Sequence, residues 1–169
     1  TMTHKELIFA WLNEPHVREF WDNSQEHRDD ILSFLEASNY KGIFTYWIGS
    51  IEDEPYCLLM TSTVTPEDDL PEIWRDHLSK TGKTFSIDFA IGNKAFLGKK
   101  LAAPTLKAFT QFIQDTIDET VDLFYDCIAM HEHRRSSNSR EWLLEVCHHA
   151  ARCFQFGGIY FGGDCSSRT

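Results

Sequence analysis

A carboxylate and a small-residue turn lie close together in the middle of the sequence. Asp88 is the one acid in the apolar run Ile87 to Ile91, which predicts a β-strand. Gly92 and Gly98 are expected to supply the turn, and Pro104 suits the first turn of a following helix. Backbone N–H groups at a helix N-terminus are unpaired and the helix dipole favours an anion. This segment therefore predicts a diphosphate site beside Asp88.

The elements that would position this site can also be predicted from residue spacing. Apolar residues recur at helical spacing after the turn, which predicts one buried helix face: Leu101, Leu106, Phe109, Phe112 and Ile113. Residues 44–51 and 56–64 predict a hairpin around the acidic turn 52–55. Near the start, Thr3-x-x-Glu6 predicts a capping box that opens a helix through Trp11.

Two motifs resemble those of a known family. The run Leu97-Gly98-Lys99-Lys100-Leu101-Ala102 resembles the Arg/Gln-x-x-Gly-x-Gly/Ala coenzyme A pyrophosphate loop of the GNAT superfamily of N-acetyltransferases, in the form familiar from aminoglycoside 6′-N-acetyltransferases. The segment from Ala10 to Trp21 resembles the Trp-Leu-Asn-x-x-His-(Ile/Val)-x-x-(Trp/Phe)-Trp motif near the N-terminus of those enzymes. Both motifs occur in the family's order and spacing, and the resemblance covers roughly residues 5 to 125.

The resemblance implies one acetyltransferase-like domain over residues 1–169, with residues 1–130 similar to the family and residues 131–169 forming a divergent tail. The implied fold class is α/β (α+β), with a GNAT-type mixed and mostly antiparallel central sheet flanked by helices. In the family a first strand precedes the helix that Thr3 opens here, and that strand is expected to be absent from this chain. An unpaired sheet edge beside residues 44–51 would favour a homodimer.

The resemblance also implies the co-substrate and the acid at the reaction centre. Acetyl-CoA is the implied acyl donor, no metal is implied, and Asp88 is the implied contact of the reacting amine, as proton acceptor or as anchor. Two sets of residues are expected on acetyl-CoA: Phe89, Ala90 and Ile91 along the acyl and pantetheine arm, and Leu97, Gly98, Lys99, Lys100, Leu101 and Ala102 at the diphosphate.

Two groups of residues are candidates for the acceptor side. Trp21 offers an indole face to a sugar or a cation, and the adjacent Asp22 offers a carboxylate to an amine. Packing of Trp21 in the core is the alternative. The long acidic connection after residue 64 carries Asp69, Glu72 and Trp74, which either form a substrate rim or lie on a solvated face. His16 is interpreted as a hydrogen-bonded structural residue.

Composition narrows the class of partner. A formal net charge of −10 with dispersed lysines and arginines argues against nucleic acid and favours a cationic small-molecule amine. The sequence contains no run of membrane-spanning length and no secretory signal, so no membrane association and a cytoplasmic protein are expected. Five cysteines without framework spacing favour reduced thiols.

The chain departs from the family at the diphosphate loop and in the tail. Lys100 replaces a glycine of the motif, which requires backbone angles that a side chain can adopt. After a candidate strand at residues 121–130, the tail predicts a helix over residues 140–154 and a glycine-rich end in which Tyr160 loosely matches the family's tyrosine. A frameshifted tail is one hypothesis. The six histidines and cysteines of residues 131–153 make a zinc site a rival one.

These features together predict an acetyl-CoA-dependent N-acetyltransferase that acts on a primary amine of a cationic small molecule, with an aminoglycoside as the first candidate acceptor. Two alternatives stay open. One is N-acylation of another amine, such as a siderophore precursor or a polyamine. The other is a catalytically degenerate GNAT-like protein that binds coenzyme A or a partner chain, for which Lys100 and the tail are the evidence.

Overall fold

A mixed five-stranded sheet with the strand order β4-β3-β2-β1-β5 organises the chain. The computed structural model describes residues 3–36, 40–70, 72–126 and 159–162. The strands are β1 Thr45–Ile51, β2 Glu54–Val64, β3 Lys83–Ile91, β4 Val121–Asp126 and β5 Ile159–Gly162. The helices are α1 His4–Leu12, α2 Pro15–Arg18, α3 Gln25–Leu35, α4 Glu72–Arg75 and α5 Ala102–Phe112, with a 3₁₀ turn at Lys94–Phe96 and a π-helical turn at Ile113–Ile117.

The pairing of the strands confirms the predicted fold class. β3 and β4 run parallel, as the long helical connection through α5 requires, and every other neighbouring pair is antiparallel. The predicted hairpin is β1 and β2, joined by a two-residue turn at Glu52 and Asp53. Both turn residues have positive φ values, 50° and 63°, as the tight turn that matches strand twist demands.

Each face of the sheet buries its own apolar cluster. On one face, Leu106 and Phe109 of α5 and Ile113 of the π-helical turn pack against strand residues such as Trp47 and Leu59. This confirms the helical spacing that the sequence predicted for the segment after residue 101. On the other face, α1 and α3 pack against Tyr46, Leu58 and Met60 through residues that include Ile8, Leu12 and Ile31. The sheet is therefore the middle layer of three.

The capping box at the start of α1 is present as predicted. The backbone N–H of Glu6 donates to the Thr3 hydroxyl at 3.3 Å, and the Glu6 carboxylate accepts from the Thr3 N–H at 2.8 Å. These two bonds satisfy donors that the first helical turn leaves unpaired. Within the described parts of the chain, no helix is long and apolar enough to cross a membrane.

The prediction of an unpaired sheet edge beside β1 is wrong for part of that edge. β5 pairs antiparallel with Ile48–Ile51 of β1, so a segment about a hundred residues away covers this end of the edge. The sequence did not predict this pairing because nothing local specifies a partner so far along the chain. The helix predicted at residues 140–154, the tail histidines and cysteines, and the end of the predicted strand 121–130 lie outside the described residues.

Candidate functional site

The loop between β3 and α5 presents a row of backbone donors. Gly98 and Lys100 have φ values of 72° and 57°, and α5 begins at Ala102 without a side-chain cap. Among the described residues, no group accepts from the backbone N–H groups of residues 98–103. Pro104, which has no N–H, lies in the first turn as predicted. These donors at the positive end of the helix dipole form an arrangement that binds anions.

Buried hydrogen bonds fix the start of α5 against the sheet. The Thr105 hydroxyl donates to the Leu101 carbonyl oxygen at 2.6 Å, and its oxygen also lies 2.6 Å from the Tyr56 hydroxyl of β2. Thr105 and Tyr56 have no exposed surface, so solvent does not compete for these bonds. The position of the loop donors is therefore tied to β2.

The two loop lysines differ in what their side chains and backbones do. The Lys99 ammonium lies over the Phe96 ring, 4.7 Å from its centre, in a cation–π contact. Lys100 is exposed and adopts the left-handed backbone conformation that favours glycine. The loop therefore keeps the glycine-type geometry of the motif although a lysine occupies the position, and its φ lies in a region that a side chain can adopt.

We expect Lys100→Gly to raise the free energy of unfolding by about 1 kcal/mol, because glycine adopts a positive φ without the strain that a side chain adds. Lys99→Gly is the matched control. Its backbone has no positive φ, and the substitution removes the contact with Phe96, so stability should fall. Chemical denaturation measures both variants. A stability loss in Lys100→Gly equal to that of the control would contradict the prediction.

Asp88 lies on the sheet face that packs against α1 and α3. It is paired with Met60 of β2, which is in turn paired with Tyr46 of β1, so these three positions form one row across the sheet. Asp88 is half-buried. Burial raises the pKa of Tyr46 and lowers the pKa of His27, and the negative charge of Asp88 adds a minor contribution that reinforces the first shift and opposes the second. A carboxylate, a phenol and an imidazole therefore lie near one another on this face.

The second half of β3 leads from Asp88 to the loop that carries the backbone donors. The described pairing with β4 ends at Ile87 and Asp126, whereas the pairing with β2 continues to Ile91. Residues 88–91 thus form the end of β3 just before the donor row of residues 98–103. The structure brings the predicted residues Phe89, Ala90 and Ile91 together with Asp88 on this strand end, as their sequence order requires.

The N-terminal motif holds the end of β3 in place. His16 Nε2 lies 2.9 Å from the Ile91 carbonyl oxygen, which only accepts, so this nitrogen carries the proton. The predicted hydrogen bond of His16 is therefore present, and its structural role stays a prediction. Trp11 packs directly against Gly92, where an added Cβ atom would lie 2.1 Å from the indole. Gly92 therefore permits a close approach, and of the two glycines expected to supply the turn, Gly98 is the one with a positive φ.

The neighbouring pair Trp21 and Asp22 lies before α3. Trp21 is half-buried against the α1 and α3 cluster, while the preceding Phe20 is 60% exposed. The Asp22 carboxylate accepts from the Ser24 N–H and from the Ser24 hydroxyl, both at 2.9 Å, and these bonds lower its pKa. Ser24 is the N-cap of α3, so Asp22 supports the start of this helix.

The acidic connection between β2 and β3 contains the short helix α4. Asp69 and Glu72 are exposed, and the Asp68 carboxylate accepts from the backbone and hydroxyl of Thr65 at 2.6 and 3.1 Å. The Trp74 side chain lies outside what the structure describes. The connection follows the β2 strand that pairs with Asp88, and contact of Asp69, Glu72 or Trp74 with a substrate stays a prediction.

The family comparison decides the identity of the domain. Residues 1–126 of the 169 match the family model described as an acetyltransferase (GNAT) domain. The chain belongs to the GNAT acetyltransferase family. A comparison with curated proteins found no match.

Solved structures support the same fold. An aminoglycoside N(6′)-acetyltransferase from Legionella pneumophila subsp. pneumophila str. Philadelphia 1 has a TM-score of 0.50 and 21% identity, over 69% of this chain and 60% of that enzyme. Two structures of AAC(6′)-Ib, one with paromomycin and acetyl-CoA and one with coenzyme A and kanamycin, have TM-scores of 0.53 and 19% identity. They cover 89% of this chain and 78% and 79% of those chains. At these identities, the likeness is one of fold.

Two features of this GNAT domain were not predicted from the sequence. His27 lies beside Trp21, and Tyr46 donates to the Asp30 carboxylate at 2.8 Å, on the face that carries Asp88. A histidine in the first turn of a helix is an ordinary surface pattern, so no sequence signal marked it. In the described part of the chain, no group of three or more histidine, cysteine, aspartate or glutamate residues is arranged to hold a metal ion. The tail residues proposed for zinc lie outside that part.

Proposed function

We propose that this GNAT domain is an acetyl-CoA-dependent N-acetyltransferase that acetylates a primary amine of a cationic small molecule, with an aminoglycoside as the first candidate. The observation that carries the proposal is the row of backbone donors at residues 98–103, from which no described group accepts, and which follows the strand end that bears Asp88. Acetyl-CoA supplies a diphosphate for the donors and an activated acetyl group for transfer. Leu97, Gly98, Lys99, Lys100, Leu101 and Ala102 are the proposed diphosphate residues.

The backbone donors at residues 98–103 fit the chemistry of a diphosphate. Backbone N–H groups bind phosphate oxygens without the cost of ordering long side chains, and the dipole of α5 adds favourable charge. Phe89, Ala90 and Ile91 form the end of β3, which leads into the loop that carries these donors, so they are proposed to align the pantetheine arm and the thioester. Alignment of the thioester against the amine supplies much of the rate enhancement in such a transfer.

Asp88 is the proposed acid at the reaction centre. The amine nitrogen attacks the thioester carbonyl carbon, the carbon–sulfur bond breaks, and the amine loses a proton as the amide and the coenzyme A thiol form. A carboxylate near the amine stabilises the positive charge that develops on nitrogen and accepts or relays that proton. The half-buried position of Asp88 strengthens this interaction relative to bulk water.

Charge and the acidic connection support a cationic acceptor. The net charge of −10 attracts polyamines, and the exposed carboxylates of Asp69 and Glu72 are proposed to form the outer rim of the acceptor site. Trp74 is proposed as a further substrate contact. Trp21 and Asp22 are proposed to bind the acceptor on the inner side of this rim. The neighbours of this fold were solved with aminoglycosides, which supports that class first. A homodimer, a cytoplasmic location and the absence of nucleic-acid and membrane partners stay predictions.

Calorimetric titration with acetyl-CoA, followed by thiol release with kanamycin, spermidine and a hydroxylated diamine, tests the proposal. We expect binding with one site per chain and thiol release that depends on the added amine. Release with spermidine or the hydroxylated diamine alone would replace the aminoglycoside by another amine. Binding without release from any amine would favour the degenerate coenzyme A-binding alternative, and the absence of binding would overturn the proposed function.

A further inference from the structure

The indole of Trp21 is held by one specific hydrogen bond. Its Nε1–H lies 3.0 Å from His27 Nε2. Because an indole nitrogen only donates, His27 Nε2 must accept, and the imidazole is neutral with its proton on Nδ1. His27 itself is only 9% exposed, so water does not readily replace this acceptor. The bond therefore fixes both the indole orientation and the His27 tautomer.

His27 is well placed to act as a rigid support. Its backbone N–H donates to the Ser24 hydroxyl at 3.2 Å, which places it in the first turn of α3. Its ring packs against the Tyr46 ring with the centres 5.8 Å apart. The Tyr46 hydroxyl is in turn bound to Asp30. His27 thus connects the Trp21 indole to α3 and, through the Tyr46 ring, to β1 of the sheet.

The His27 and Tyr46 side chains lie on the same face of the sheet as Asp88. Three carboxylates act electrostatically on the imidazole from three elements: Asp22 before α3, Asp30 within α3 and Asp88 of β3. Tyr46 of β1 is a titratable group that packs against the imidazole. Burial raises the pKa of Tyr46, and its bond to Asp30 raises it further. The side chain that orients Trp21 is therefore within electrostatic reach of the proposed reaction centre.

We propose that His27 is a positioning residue that fixes the Trp21 indole as a wall of the acceptor-amine pocket beside Asp88. This inference rests on the proposed function. Trp21 is half-buried against the α1 and α3 cluster, so packing constrains only part of its ring. An ammonium or a sugar ring gains from an indole face only when that face is held in one orientation.

The proposal also predicts a dependence on pH. Burial lowers the pKa of His27 below its usual value of about 6.5, and the neighbouring carboxylates oppose that shift in part. Protonation puts a hydrogen on Nε2 and removes the lone pair that accepts from Trp21. The acceptor KM should therefore rise as the pH falls through the lowered pKa of His27, with the bond fully present above pH 6.5.

The experiment compares His27→Phe with His27→Gln in the full chain. Phe keeps an aromatic ring but offers no acceptor, whereas the Gln side-chain oxygen can reach the position of Nε2. We expect His27→Phe to raise the KM for kanamycin about tenfold, with kcat and the Kd for acetyl-CoA changed less than twofold, and His27→Gln to restore most of the loss. The indole ¹H–¹⁵N resonance of Trp21, assigned with Trp21→Phe, should shift in His27→Phe.

Each outcome separates this inference from the proposed function. Wild-type thiol release together with an unchanged kanamycin KM in His27→Phe would overturn the inference alone, as would an equal loss in both variants. Absence of thiol release from the wild-type chain would overturn the proposed function, and kanamycin calorimetry would then decide whether His27 supports a binding pocket. If His27→Phe fails to fold, a wild-type ¹H–¹⁵N spectrum in which His27 Nε2 carries the proton at pH 7.5 would overturn the inference, because that nitrogen could not then accept from Trp21.

Discussion

We expect Asp88→Asn to lower kcat/KM for the acceptor amine by about 100- to 1000-fold while the Kd for acetyl-CoA stays within a factor of two. The substitution keeps the size of the side chain and its place in β3 opposite Met60. It removes the negative charge and the proton acceptor. The donor row at residues 98–103 consists of backbone groups, so binding of the diphosphate does not depend on the charge of Asp88.

The measurement is steady-state thiol release at saturating acetyl-CoA, with calorimetry for the co-substrate. Asp115→Asn is the matched control, because Asp115 is an exposed acid beyond the C-terminal end of α5 whose carboxylate accepts from Gln111 at 2.8 Å. It carries the same loss of charge away from the proposed site and should keep wild-type kinetics. If Asp88→Asn weakened acetyl-CoA binding and lowered stability as much as turnover, Asp88 would be a structural strand residue.

Local patterns were enough to predict the elements that carry the site. The hairpin could be predicted because the turn at Glu52 and Asp53 separates two apolar runs, and α5 because its apolar residues repeat at helical spacing. The capping box at Thr3 and Glu6 is likewise a property of four consecutive residues. In each case, the physical cause lies within a single segment, so no knowledge of the tertiary structure was required.

Contacts between distant segments could not be predicted in the same way. The bond between Trp21 and His27 depends on how α3 leaves its N-cap, and the pairing of β5 with β1 joins segments about a hundred residues apart. Lys100 shows the converse. Its residue type argued against a glycine-like loop, yet the loop closes with φ at 57°, because the flanking 3₁₀ turn and the Thr105 bonds to α5 and β2 fix both ends.

Gly92 is the position where a small change should disturb the site most through packing. We expect Gly92→Ala to lower the free energy of unfolding by about 3 kcal/mol. The added Cβ atom would lie 2.1 Å from Cδ2 and 2.2 Å from Cγ of Trp11, and these atoms belong to the base of a ring that is only 6% exposed. Neither the indole nor the strand end can move without disturbing the core of α1.

Gly98→Ala is the control, because an added Cβ there meets no atom within 4 Å and adds only the strain of a φ of 72°. Its expected cost is about 1 kcal/mol. Chemical denaturation of both variants gives the comparison, and the double variant Gly92→Ala with Trp11→Leu tests the cause. Removal of the ring should make the double variant less costly than the sum of its parts. Additive costs would mean that Trp11 does not hold the end of β3, and that the N-terminal motif positions Asp88 in another way.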